Sequence, residues 1–423
     1  MAMALGVTAS AYAANPFSDV PAGHWAYDSI NKLAAAGVID GYGDTTFGGD
    51  KLMTRYEMAQ IVAKAMAKGA NVDKLAAEFA DELDNLGVRV ANLEKKADNV
   101  KITGNVRARY ISKDEEYGKT NNDGSLRSRL WITGQVNDDW SYTGMLQNVQ
   151  SFTNDKANAG EEGVDFQRAY VDGKIGGLDV RAGRYNFFIA DGNVYDTRAD
   201  GVEVSYGKAV KVTGFAGKAT DGISVLPDSK LFDDTELEGG LDVTTGGNYA
   251  GVAISGEIAK NLGLEAGYVN FKDMGFKDST IDNGIWWVGA NYTVGNVGLS
   301  AMYLKGDASI DYAVENKLID KYLDDDGYVI GLSYKGAKAD VAGSWGLSAK
   351  YYDQGTQTYV AHTTDANTFG MTGFKGYGIT ADYTVAKNIV ASVMYFDTES
   401  KLADKLGKKI DDKRILTEVN FYF

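Results

Sequence analysis

The chain of 423 residues contains no cysteine, two histidines and three prolines. Without cysteine there is no disulfide framework, thiolate nucleophile or cysteine-held metal. His24 and His362 lie far apart, and neither has a metal-like neighbourhood. No phosphate loop, zinc motif or triad order is found, so the sequence offers no catalytic centre, metal site or cofactor site, and an enzyme is not expected. Positive charge is also scarce: the formal net charge of −15 argues against nucleic-acid binding. Nowhere do roughly eighteen apolar residues follow one another, so no transmembrane helix is expected. The mean hydropathy of −0.26 does not exclude a membrane barrel, in which only alternate residues face lipid.

What the chain has in quantity is glycine (51) and tyrosine (26), a composition suited to many strands, tight turns and interfacial aromatics. Residues 1–14 are small and apolar, and Ala11-Tyr12-Ala13 has the small-x-small pattern of a signal-peptide cleavage site. The basic n-region is missing, which leaves an apolar tail as the alternative.

Residues 15–69 read as a small helical unit. Ile30, Leu33, Ala34 and Val38 follow helical spacing, and Gly41-Tyr42-Gly43-Asp44 is turn chemistry. Thr54 and Glu57 have capping-box spacing ahead of Met58, Ile61, Val62 and Ala65. The unit resembles a surface-layer-homology (SLH) domain in Phe17-Ser18-Asp19-Val20, His24-Trp25-Ala26, Gly37 to Tyr42, Asp44 to Phe47 and Thr54-Arg55-Tyr56-Glu57. It departs in Tyr56 within the box and in Gly49, where a proline is usual. The resemblance implies non-covalent attachment to cell-wall polymer: an acidic secondary polymer in Gram-positive relatives, and peptidoglycan carrying polyamine substituents in diderm Firmicutes. In chemical terms Arg55 suits an anion, Asp19, Asp44 and Glu57 suit a cation, and Trp25 suits stacking on a ligand. The same residues also suit helix caps and a core tryptophan.

Residues 70–100 carry an apolar stripe, Leu75, Phe79, Leu83, Leu86, Val90, Leu93, Ala97 and Val100, close to a period of 3.5. It reads as a coiled-coil stalk of ~45 Å that oligomerises the chain. The alternative is an amphipathic helix packed on its own domain.

From residue 101 to 423 the period changes to two. Sixteen strand candidates follow: 101–112, 126–136, 140–149, 166–175, 178–186, 201–207, 210–219, 248–258, 262–271, 284–293, 297–305, 328–335, 344–352, 376–384, 389–396 and 414–423. Short turns alternate with long polar loops, the layout of a transmembrane barrel. The last strand places Phe423, Phe421, Val419, Thr417 and Ile415 on one face and Tyr422, Asn420, Glu418, Leu416 and Arg414 on the other. Its aromatic ending at Phe423 resembles the signal read by outer-membrane assembly machinery. Sixteen strands enclose an aqueous lumen. Arg107, Arg109, Arg127, Arg129, Arg168 and Arg184 belong there, because arginine facing mid-bilayer lipid costs ~2–4 kcal/mol.

Arg129 to Gly134, Arg168 to Gly173 and Gly183-Arg184-Tyr185 resemble early strands of the general trimeric porins. That resemblance implies that Asn186 to Asp200 folds into the pore, setting Asp191 and Asp196 against wall arginines that include Arg198. As a whole, the chain resembles the SLH-domain tethering porins of diderm Firmicutes, the OmpM family. The expectation is a mainly β protein: a 16-stranded antiparallel transmembrane β-barrel behind a helical SLH domain and a coiled-coil stalk. The family resemblance further implies a homotrimer in outer-membrane lipid, with the SLH domain and stalk in the periplasm on peptidoglycan. It implies passive diffusion of ions and small hydrophilic solutes. The rival reading is a structural surface-layer or wall-anchored protein without an open channel.

Overall fold

The computed structural model describes residues 17–42, 44–68, 72–85, 99–115, 121–152, 163–220, 243–276, 279–310 and 324–423. They fall into two compact units, Met1–Asn99 and Val100–Phe423. The expected signal segment, 1–14, lies outside the described residues.

The first unit is helical: α1 Tyr27–Ala35, α2 Arg55–Ala67, α3 Asp73–Glu78 and α4 Ala80–Asn85. Phe17, Val20, Ala26, Ile30, Val38 and Ile39 form its core, with Phe47, Ile61 and Ala65 packed alongside. Thr54 caps α2 in a complete capping box with Glu57, as its spacing predicts. The expected stalk is not found over 72–85. There the chain breaks into α3 and α4, and Leu83 is buried against Ala59 and Val62 of α2. Phe79 and Leu83 of the apolar stripe therefore pack on their own domain, the amphipathic-helix alternative, while Leu75 stays exposed. Residues 86–98, which carry four of the eight stripe residues, lie outside the described residues.

The second unit is one antiparallel sheet closed on itself. Its strands are β1 Val100–Glu115, β2 Asn121–Gln135, β3 Trp140–Ser151, β4 Asp165–Ile175, β5 Leu178–Ile189, β6 Tyr195–Gly207, β7 Val210–Ala219, β8 Val243–Thr245, β9 Asn248–Ala259, β10 Leu262–Phe276, β11 Ser279–Val294, β12 Val297–Ile310, β13 Asp326–Lys335, β14 Trp345–Gln354, β15 Phe374–Ala386, β16 Ile389–Ser400 and β17 Asp411–Tyr422. Neighbours in sequence pair around the ring, with β7 pairing β9 directly. β1 pairs both β2 and β17, which closes a 16-stranded barrel. All sixteen expected strands are present, most of them longer than their sequence pattern indicated. The three-residue β8 is extra; it edges onto β10 from within the long connection after β7. At the seam, Phe423 and Gly104 exchange two backbone hydrogen bonds of 2.7 and 3.0 Å. A side chain on Gly104 would meet the Phe423 ring at 2.6 Å. The two similar turn sequences, 258–262 and 385–389, place Asn261 and Asn388 at the same left-handed φ of 66°.

The outer surface carries a band. Trp286 and Tyr292, Tyr328 and Tyr334, Trp345 and Tyr351, and Tyr377 and Tyr383 are exposed pairs on β11, β13, β14 and β15. Each pair is six residues apart, ~20 Å along a strand. Between them sit exposed Val288, Ile330, Leu332, Leu347 and Ile379. Two aromatic girdles flanking an aliphatic zone is the pattern that lipid contact demands.

Candidate functional site

The β5–β6 hairpin occupies the barrel interior. Pairing of β4 with β5 stops at Ala169 and Arg184, and pairing of β6 with β7 stops at Ala199 and Ala219. Beyond these points the two strands leave their wall neighbours and pair with each other, Asn186 opposite Arg198 and Ile189 opposite Tyr195, and Tyr195 also bridges Ala361. One face of the hairpin is apolar. Phe187 is fully buried and stacks on Tyr249 of β9 with ring centroids 4.3 Å apart; Tyr195 stacks on Phe271 of β10. The tip, a single 3-10 turn at Ala190–Gly192, is tied to the far side. Gln354 of β14 donates to the Asn193 carbonyl at 3.0 Å, and Lys350 pairs with Asp191 at 3.4 Å. Asn186 to Asp200 thus enters the lumen as the resemblance implied, but as a paired hairpin and not a loose loop.

Its other face looks onto a charged recess lined by Arg107, Arg109, Arg127, Arg129, Arg168 and Arg198 with Asp196 and Asp365. On β2 the alternation puts Arg127 and Arg129 opposite exposed Leu130, so the arginines point inward. Three expectations change. Arg198 rides on the hairpin, where it donates to Gln167 at 2.7 Å, and does not stand on the wall. Asp191 sits at the tip with Lys350, away from the recess. Arg184 forms a two-pronged pair with Asp200, 2.7 Å on each prong, and does not line the recess.

A second element was missed. The connection between β14 and β15 folds inward beside the hairpin: Tyr359, Val360 and Ala361 are buried, and Val360 donates to the Val194 carbonyl at 3.0 Å. It delivers Asp365, which takes two bonds from Arg109 at 2.8 and 3.0 Å, while Glu418 of β17 takes a third at 2.9 Å. Asp196 is held by Asn186 at 2.8 Å and Thr363 at 2.7 Å. The run Tyr359 to Ala361 in a supposedly polar outer loop was the available signal.

In the helical unit, the residues expected to bind wall polymer divide. Asp19 accepts backbone N–H groups of Phe47 and Gly48, each at 2.7 Å, and these bonds hold its pKa below the ordinary value. Asp44 accepts from the Thr46 hydroxyl and N–H, with the same downward effect. Glu57 is lowered by the Thr54 N–H and hydroxyl. Arg55 bonds Glu82 and Glu78 at 2.6 and 3.1 Å and lies over the Phe79 ring, so its charge is already matched and its pKa raised. These four side chains hold the domain's own loops and helices together. Trp25 differs: it is 91% exposed, which rules out the core-tryptophan alternative.

Comparison with known proteins agrees with both units. Residues 16–59 match the S-layer homology domain family, so the chain carries an SLH domain. A stretch of 94 residues is 43% identical to outer membrane protein SlpA of Deinococcus radiodurans, covering 19% of this chain and 8% of that protein. Another of 91 residues is 36% identical to outer membrane protein alpha of Thermotoga maritima, covering 20% and 22%. The chain therefore spans less than a quarter of the length of either relative. Among solved structures, the high-pH structure of Pseudomonas putida OprB aligns with a TM-score of 0.51 at 13% identity, over 80% of this chain and 97% of that one. At that identity the likeness is one of fold.

Proposed function

We propose that this protein is an outer-membrane porin that also tethers the membrane to the cell wall. The observation that carries the proposal is the closed barrel with a lipid-type band outside and a charged, hairpin-narrowed lumen inside. A soluble wall protein has no use for two aromatic girdles, so the band weighs against the surface-layer reading. The lumen passes ions and small hydrophilic solutes; the buried aromatic face of the hairpin fixes its width. Liposome swelling in isotonic sugars tests this: swelling that falls steeply with sugar size is expected, and no swelling with correctly inserted protein contradicts it.

The SLH domain, on the periplasmic side, holds peptidoglycan. Exposed Trp25 is the residue we assign to that contact, since an indole 91% exposed, with the His24 ring its one ring contact among the described residues, offers a flat face to a sugar ring or a cationic substituent. Self-association into a homotrimer would multiply weak single contacts into a firm attachment. Co-sedimentation with isolated peptidoglycan, with and without residues 15–68, tests the tether. Equal binding by both forms removes the SLH domain from it.

A further inference from the structure

We infer that the lumen contains a discrete binding site for multivalent oxyanions, formed by Arg107, Arg127, Arg129 and Arg168. The inference rests on the porin reading and adds a solute class to it.

The first argument is the distribution of counter-charge. Six guanidiniums face the recess against Asp196, Asp365 and Glu418. Those acids are unevenly placed. Arg109 takes both Asp365 and Glu418, and Asp196 is held by two neutral side chains. Glu418 reaches Arg107 only at 3.7 Å. Arg129 and Arg168 bond the neutral amides of Gln147 and Asn186, each at 2.7 Å, and Arg127 forms no ion pair with any described residue. Among the described residues, the buried Nε–H groups of Arg107, Arg127 and Arg168 meet no acceptor.

The second argument is register. Arg107 and Arg127 are direct cross-strand partners on β1 and β2. Like charges directly opposite each other weaken a sheet. A fold that keeps the pair in a recess beside the inward-folded hairpin has arranged guanidinium forks for an anion. Neighbouring forks on β1, β2 and β4 converge from one wall, which suits an anion with several oxygens, because guanidinium donors match carboxylate and phosphate geometry. Chloride can take only a fraction of those donors. The site is therefore selective for phosphoryl- or polycarboxylate-bearing solutes, and it makes the channel anion-preferring even though the whole protein carries −15.

The test uses the full chain in planar bilayers. In potassium chloride gradients, the reversal potential should show anion preference. Pyrophosphate should reduce chloride current saturably, and succinate should do the same more weakly if carboxylates share the site. The double variant Arg127→Gln/Arg129→Gln should raise the blocking concentration roughly tenfold or more. Asp365→Asn, which removes one of the two acids held by Arg109 and so one negative charge from the recess, should lower it. Removing like charges relieves repulsion, so the double variant should insert; Arg168→Gln alone gives a second route to the same readout. Cation preference, absence of block by either anion, or block unchanged in the arginine variants overturns the inference while leaving an open porin. Absence of any conductance contradicts the porin reading itself.

Discussion

Asp19, Asp44 and Glu57 were legible in sequence as acids at fixed spacing, but spacing does not say whether a carboxylate faces a ligand or an N–H of its own chain. Here each faces its own chain, and the consequence is a pH dependence. The folded pKa values of Asp19 and Glu57 lie below the ordinary 3.8 and 4.5. Their contribution to the SLH domain is thus complete above those values and is lost as pH falls through the folded ones. Protease resistance of the helical unit in the full chain should decline below about pH 4. Resistance that stays flat to pH 2 would remove these carboxylates from the account. Thr54→Ala should destabilise α2 by about 1 kcal/mol, through loss of the cap, and hasten cleavage at neutral pH. Trp25→Ala should leave that cleavage unchanged while weakening peptidoglycan co-sedimentation, because an indole 91% exposed contributes little packing. Faster cleavage in Trp25→Ala would return the residue to a structural role.

At the scale of the element, period-two alternation located the strands, and it did so because one face of nearly every strand is exposed and apolar. The same alternation runs on through Tyr185, Phe187 and Ile189, where the chain has already left the wall. Nothing local distinguishes a strand packed against lipid from one packed against the inside of its own barrel. The inward fold of the β14–β15 connection was missed for a related reason: loops were read by polarity on average, and its short apolar run was diluted. The stalk was misread over 72–85 because an apolar stripe fits a partner helix and α2 equally well. Phe187 anchors the hairpin through ring contacts with Phe215 and Tyr249 of the wall. Phe187→Ala should cost about 3–5 kcal/mol of local packing and loosen the narrowing. Single-channel conductance should rise and become noisier, with the barrel still folded by heat-modifiability on gels. Unchanged conductance would mean that the hairpin does not set the width.

The whole molecule joins a membrane barrel to an SLH domain. The barrel was the more legible half, since sixteen repeated patterns and the Phe423 strand constrain one another, whereas the position of charge inside it depends on contacts between residues more than a hundred positions apart, such as Arg109 with Asp365 and Glu418. The central claim is that this barrel is an open channel. The most direct measurement is planar-bilayer recording of detergent-purified full-length protein. The account predicts discrete, ohmic conductance steps of uniform size on insertion. Stably folded, membrane-inserted protein that produces no steps would contradict it.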